Sequence, residues 1–495
     1  MGSITPTEAD PRRVYALLLE LRAEVESLGS ELFARWRPRI ERLAFQPSAL
    51  NLAHYLILRR RDLRALQALL PPLGLSSLGR GEARVLANLD SVTATLAATL
   101  NVPQGHAPKR PSVARFYLGE RLLERNARAL FGLGERGRRG RILVTLPSEA
   151  AEEPSFIAGL VARGVDCFRI NCAHDSPREW GQMIEHVHAA RKSSQRSLRV
   201  MMDLAGPKLR IARCTPDRVR AHTGDRLWLA RGVDCRAPSD PAPRAVLEPS
   251  EPAALRDLKV GDSLLIDDGK LHAAVEAVQR EGYSLRVIRA RYKGQRLAAG
   301  KSLNAPDIEL ALGALTAKDL GDLEFVADHA DIIGYSFVQS PSDVEALRET
   351  LTSRAKNPRI PLILKIETAR AVRNLPEIVV ASASQAVTGV MIARGDLAVE
   401  IGYQRLAEIQ EEILWICEAA HVPVVWATQV LEHLVKKGLP TRAEMTDAAM
   451  AERAECVMLN KGPYVAEAVE VLKDVLTRMS EHQNKKTPTL RRLHF

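Results

Sequence analysis

Aromatic residues make up only 4% of this 495-residue chain and nowhere alternate with arginine, so a surface that reads nucleic acid by stacking bases is excluded. Six cysteines, at 167, 172, 214, 235, 417 and 456, form no CxxC pair and no zinc spacing. They read as the reduced thiols of a cytoplasmic protein without zinc. No signal peptide and no apolar run of transmembrane length is present, which sets membrane insertion aside. No Gly-rich dinucleotide fingerprint follows an apolar run, no Walker-type loop occurs, and no Ser-His-Asp constellation can be assembled. Acidic residues fall short of basic ones: 70 Lys and Arg stand against 60 Asp and Glu, a net charge of +10 focused in RGRRGR at 136–141. That surplus favours anionic partners, phosphorylated metabolites among them.

What is present is ample core. Hydrophobic residues are 46% and charged residues 26%, and the length predicts two to four domains. Residues 1–138 read as a helical domain. Val14, Leu18, Leu21, Val25, Leu28 and Leu32 form a short heptad stripe after Pro11, the seam of a local bundle. Ser48 is placed to cap a second helix over 49–70, a third runs over about 81–100, and a fourth lies near 113–130. His54 and the run Arg59-Arg60-Arg61 are assigned to a solvated face.

From Arg141 the pattern alternates. Short apolar runs at 142–146, 165–170, 198–203, 331–336, 360–366, 386–392, 422–427 and 455–459 read as buried parallel strands, most of them followed by a helical segment. Eight such units predict an α/β fold, a (β/α)8 TIM barrel, in two parts over 139–210 and 303–482. The alternation breaks over 211–302, where strand-like runs and Gly-Asp or Asp-Gly turns predict an inserted small β-barrel, a lid that closes over the site. Residues 483–495 read as a basic tail.

An α/β barrel keeps its chemistry at the C-terminal ends of its strands. Those ends carry Thr145; Arg169, Asn171 and His174; Asp203, Lys208 and Arg210; Ser336 and Phe337; Lys365 and Glu367; Arg394 and Asp396; Thr428; and Asn460 with Lys461. Glu367 and Asp396 supply hard oxygen ligands for a divalent metal, and Lys365 stabilises charge that develops during transfer. Arginines, lysines and a metal dyad on one face fit metal-dependent phosphoryl transfer to or from a small anionic substrate.

FRINCAHD, MDLAGPKLR, IDDG, LTAKDLGDLEF, KIE, ARGDLAVEI, ATQVLEHL and PTRAEMTDAAMA, in that order over roughly residues 141–480, resemble the pyruvate kinase family. The resemblance implies transfer of a phosphoryl group from phosphoenolpyruvate to ADP, with Mg2+ or Mn2+ on Glu367 and Asp396. It implies that Arg169 holds the phosphoryl group, that Lys365 stabilises transfer and the enolate, and that Gly395 and Asp396 amides with Thr428 receive the carboxylate. Asn171, His174 and Arg210 would approach the nucleotide, and Asn171 and Asp203 would line the monovalent-cation region.

The departures shape further expectations. The strand-two hydroxyl of the family is Ala173 here, and its Ser-Gly-Glu-Thr near strand eight is Asn460-Lys461-Gly462-Pro463, which bears on protonation of the enolate. Family members with Glu at the position of Lys208 tend to need a monovalent cation and those with Lys do not, so K+ is not expected to be required. The family's C-terminal regulatory domain is not found after residue 482, so activation by fructose 1,6-bisphosphate is not expected. Any homo-oligomer would be small or rebuilt through the N-terminal helices. A lyase or aldolase using the same metal and lysine, and a non-catalytic sensor, are the competing readings. The lid and the His174–Arg210 pair distinguish a nucleotide-using enzyme from the lyase, and the presence of Lys365, Glu367 and Asp396, groups a sensor need not preserve, argues against the sensor.

Overall fold

The computed structural model describes residues 10–492 apart from 104, 136, 233, 234, 241 and 311. Its centre is a closed barrel of eight parallel strands: β1 (Arg141–Thr145), β2 (Cys167–Asn171), β3 (Arg199–Asp203), β4 (Ile332–Tyr335), β5 (Leu362–Ile366), β6 (Thr388–Ala393), β7 (Val424–Ala427) and β8 (Cys456–Leu459). Every residue of β5 and of β6 is buried, as the apolar runs require when helices cover one face and the barrel interior the other. Register places Asn171 beside Asp203 and Lys365 beside Met391, so the polar residue ending each run emerges at one mouth. The helices between strands start on reciprocal capping boxes, Ser176 with Glu179, Thr316 with Asp319, Ser340 with Asp343 and Thr441 with Glu444.

Residues 211–304 form a seven-stranded, mainly antiparallel sheet, a partial barrel with a core of its own around Leu227, Leu247, Leu264 and Leu285. Its strands include Ile211–Thr215, with charged and exposed positions, and Ala245–Pro249. The chain leaves the barrel after β3 and returns before the helix Ala317–His329.

The N-terminal helices α1 (Pro11–Trp36), α2 (Gln46–Leu58), α3 (Val85–Thr99) and α4 (Leu118–Phe131) do not stand off from the barrel. The last turn of α4 puts Leu130 and Phe131 into one cluster with Leu143, Cys167, Met201, Ile363, Met391 and Cys456, which closes the N-terminal mouth with apolar side chains. Asn126 donates to the His421 carbonyl at 2.8 Å, and His421 itself bridges Ser48 Oγ and the Ala83 carbonyl, both at 2.9 Å.

Three expectations for this region are corrected. The α1 stripe buries Val14, Leu18, Leu21 and Val25 but then shifts to Gly29, leaving Leu28 37% exposed. The shift follows from α2, whose His54 ring sits where a Cβ on Gly29 would meet it at 2.3 Å. His54 is therefore buried, and burial lowers its pKa to about 4, whereas Arg59, Arg60 and Arg61 are exposed as expected. Ser48 does not cap α2, which begins two residues earlier and ends at Leu58; its hydroxyl is buried against His421.

Candidate active site

The C-terminal mouth is built around a buried lysine. Lys365, at the end of β5, donates to Ser336 Oγ at 2.7 Å and lies 3.3 Å from Asp203 Oδ2 and 3.2 Å from Glu367 Oε1. Burial works against its ammonium, yet Asp203 and Glu367 hold its pKa above the ordinary lysine value. It stays charged in a nearly dry setting, where a cation acts most strongly on nearby negative charge.

Asp203 is oriented by two cations. Arg169 Nε donates to its Oδ2 at 2.9 Å, Nη2 bonds the same oxygen, and Nη1 reaches Thr145 Oγ1 at 3.2 Å. Burial alone would raise Asp203, but Lys365 and Arg169 keep its pKa below the usual carboxylate value. Its other oxygen, Oδ1, is buried and has no hydrogen-bond partner among the described residues.

Glu367 follows Lys365 by two residues and accepts from the Phe337 amide at 2.6 Å. Its pKa is pushed up, first by burial; Lys365 opposes the rise, and Asp396 and Asp203 add to it. Lys365 rises while Glu367 also rises because the ammonium is shared with Asp203, which leaves Glu367 only partly compensated. An orphaned Asp203 oxygen and an under-compensated Glu367 are the marks of a site with room for another cation. Among the described residues no group of three or more His, Cys, Asp or Glu is arranged around a metal position. The protein thus offers two carboxylates, Glu367 and Asp396, a donor set that suits a hard divalent ion completed by substrate oxygens and water.

Asp396 sits in the first turn of the helix Arg394–Ile401, directly after β6. The Gly395 amide donates to Thr428 Oγ1 at 3.0 Å, joining the end of β6 to the end of β7. A Cβ on Gly395 would stand 2.9 Å from that hydroxyl, so glycine is what permits the approach. Arg394 secures the same corner, donating to the Ala427 and Thr428 carbonyls at 3.0 and 2.7 Å and pairing with Asp447.

Lys208 pairs with the carboxylate of Asp396. Its ammonium lies 2.6 Å from Asp396 Oδ1 and 3.4 Å from Asp268 Oδ1 of the inserted sheet, with no contact to Asp203. Burial is outweighed by Asp396, so its pKa is raised. Of the expected nucleotide trio, Asn171 Oδ1 accepts from the Ala173 amide at 3.2 Å, the amide of exposed His174 donates to the Asn171 carbonyl at 3.0 Å, and Arg210 donates to the Gly300 carbonyl at 2.8 Å in the stem of the inserted sheet. Asn460, in the altered strand-eight stretch, donates to Glu432 at 3.0 Å.

Sequence reasoning passed over Asp319. It is fully buried; Oδ1 accepts from the Ala205 and Gly206 amides, at 2.9 and 3.3 Å, while Oδ2 takes Thr316. It thereby fixes the loop that carries Lys208. The signal was the T-x-x-D capping box at 316–319, whose acid has a second oxygen to spare.

Comparison with known proteins places this geometry in context. The family model described as "Pyruvate kinase, barrel domain" matches residues 137–469. The chain is 35% identical over 346 residues to a protein of Methylorubrum extorquens named "Pyruvate kinase", covering 68% of this chain and 67% of that protein. It is 33% identical over 356 residues to one of the same name from Agrobacterium vitis, covering 70% of each. A third, from Mycobacterium intracellulare, is 30% identical over 358 residues, 71% of this chain and 72% of the relative.

Proposed function

The chain belongs to the pyruvate kinase family, and on that premise we propose how its C-terminal mouth moves a phosphoryl group from phosphoenolpyruvate to ADP, giving pyruvate and ATP. It is a phosphotransferase of a family that depends on a divalent metal. The observation that carries the reading is the position of Lys365 Nζ, buried between Ser336, Asp203 and Glu367 at the end of β5.

Glu367 and Asp396 are the residues to hold Mg2+ or Mn2+, which would neutralise oxygens of the bound phosphoryl group and enolate. Arg169 presents its guanidinium to the phosphoryl oxygens while Asp203 and Thr145 fix its plane. Lys365 then lies beside the bridging oxygen and carries the positive charge that the enolate needs as the bond to phosphorus breaks. The substrate carboxylate meets the helix N-terminus at Gly395 and Asp396, where amides and dipole favour an anion, with the Thr428 hydroxyl alongside. ADP enters beneath the inserted sheet, and closure of that sheet would bring His174 and Arg210 toward it. Asn171 and Asp203 bound the monovalent-cation region.

Lys208 supplies the charge that K+ would otherwise bring. It is supported by the ion pair to Asp396 and by Ala173, which offers no hydroxyl ligand. The test is formation of ATP from phosphoenolpyruvate and ADP with Mg2+, first without K+ or Na+ and then with K+. Metal-dependent turnover that K+ barely changes is expected, and Lys208→Glu with Ala173→Ser should gain K+ dependence. Absence of ATP formation in both buffers overturns the activity. Turnover only with K+ removes this role from Lys208 alone.

A further inference from the structure

The two carboxylates read as the metal pair each carry a lysine, and the two lysines are held very differently. Lys365, on Glu367, is buried and has Ser336 and Asp203 as further partners. Lys208, on Asp396, comes from the loop after β3, and its side chain is 24% exposed. Its short contact is the 2.6 Å pair with Asp396 Oδ1, while Asp268 Oδ1 of the inserted sheet stands 3.4 Å away. Among the described residues no other acid pairs with it. Of the two lysines, Lys208 is therefore the one that can leave its carboxylate.

The backbone beneath Lys208 is fixed. Asp319 takes the Ala205 and Gly206 amides, the Lys208 amide closes a tight turn on the Gly206 carbonyl at 3.0 Å, and Leu209 is buried. What can move is the four-carbon stem. It has room, because Lys208 lines a cleft of about 180 Å³ between inserted sheet and barrel, together with Glu309 and Glu400. It also has a second acid at hand. Asp268 is set in place by Ser302, whose hydroxyl donates to Oδ1 at 2.8 Å and accepts from the Asp268 amide at 2.9 Å.

An ammonium and a divalent ion seek the same lone pairs on Asp396, and two cations on one small carboxylate repel each other. The divalent ion has twice the charge and a further ligand in Glu367, so it prevails, with its affinity lowered by the contest.

We propose that Lys208 competes with the divalent metal for Asp396: a metal ion binding there turns the ammonium off that oxygen and onto Asp268 of the inserted sheet. This rests on the reading of Glu367 and Asp396 as the metal pair. It gives Lys208 two stations, one on the barrel and one on the inserted sheet, so that metal binding alters the contact between the two parts. On Asp268 the ammonium still borders the mouth, where its charge serves an anionic substrate.

Two measurements on the whole chain test this, and neither uses turnover. Mn2+ binding without substrates is followed through the electron paramagnetic resonance of the free ion, with loss of binding in Asp396→Asn identifying the site. Lys208→Met keeps most of the stem and removes the competing charge, and is expected to bind Mn2+ about tenfold more tightly than wild type. In wild type, modification of Lys208 by acetic anhydride, read by peptide mass spectrometry against the 85% exposed Lys356, should quicken severalfold on addition of saturating Mg2+. Tighter binding by Lys208→Met with unchanged labelling of Lys208 is a long-range charge effect and overturns the displacement. Binding by Lys208→Met no tighter than wild type overturns it as well. If Lys208→Met does not fold, labelling of the wild type decides, and an unchanged rate overturns the proposal. Wild type that binds no Mn2+ at all removes the metal reading of Glu367 and Asp396 and this inference with it. Wild type that binds Mn2+ while Lys208→Met gains nothing removes this inference alone.

Discussion

The two mouths of the barrel use the same currency of buried carboxylates and cations to opposite ends. At the N-terminal mouth an acid stands one residue before each of three strands: Asp166 before β2, Asp331 before β4 and Glu455 before β8. Each accepts from a backbone amide of a neighbouring strand, Ile142, Val200 and Val424, at 2.8, 2.9 and 2.8 Å. Each also pairs with basic side chains, Arg138 and Arg196, Arg191 and Arg199, or Lys485. These acids are saturated with donors, and such groups hold strands in register. At the C-terminal mouth the acids are left wanting. Asp203 Oδ1 has no partner among the described residues, and Glu367 shares its lysine. Charge that the fold has already satisfied builds structure, and charge it leaves unsatisfied is available for a ligand.

The largest effect should come from removing the unsatisfied mouth's cation. Lys365→Met is expected to lower kcat by a factor of about a hundred to a thousand with the fold intact. Glu367→Gln should instead lose activity mainly by raising the metal concentration needed. Steady-state kinetics across a metal titration separates the two, and near-normal turnover in Lys365→Met would remove that residue's assignment.

At the saturated mouth the expected loss is in stability. Asp166→Asn leaves Arg138 buried without its counter-ion and should cost about 3–5 kcal/mol, with kcat unchanged while the protein is folded. Chemical denaturation measures it, and a loss below about 1 kcal/mol would mean the floor acids are not the register device described. Phe131→Ala, which opens the plug at the same mouth, should cost a similar 3–5 kcal/mol.

The smallest effect concerns Glu418, whose carboxyl burial pushes up to about 7. An acid with a raised folded-state pKa stabilises most while protonated, so its contribution is complete below the ordinary glutamate range near pH 4.5 and is lost as pH rises through about 7. Glu418→Gln should change stability by under about 1 kcal/mol at pH 5 and raise it by about 3 kcal/mol at pH 8. Equal stability changes at both pH values would show that Glu418 does not titrate in this range.

The sequence by itself determined the barrel and the residues ringing its working mouth. Parallel strands buried on both sides must be short apolar runs, and the first polar residue after each run, such as Lys365 after LIL or Asp203 after VMM, must surface at a strand end. Period and burial are properties of neighbouring residues, so they can be read along the chain. The inserted sheet was legible where its strands are apolar, as in RLWLA, and not where IARCT carries charge on exposed positions.

Tertiary structure decided everything that depends on which distant side chain arrives first. Lys208 meets Asp396 and not Asp203, five residues away in sequence, because Asp319 turns the intervening loop. His54 leaves the solvent because Gly29, on another helix, makes room for its ring. The tail reads only as a basic run, and Lys485 and Lys486 enter the floor to pair with Glu455 and Glu82. Of the basic residues before β1, Arg138 is buried on Asp166. A charged residue's identity fixes its sign and reach, but its partner is chosen by the packing of elements that no local pattern encodes.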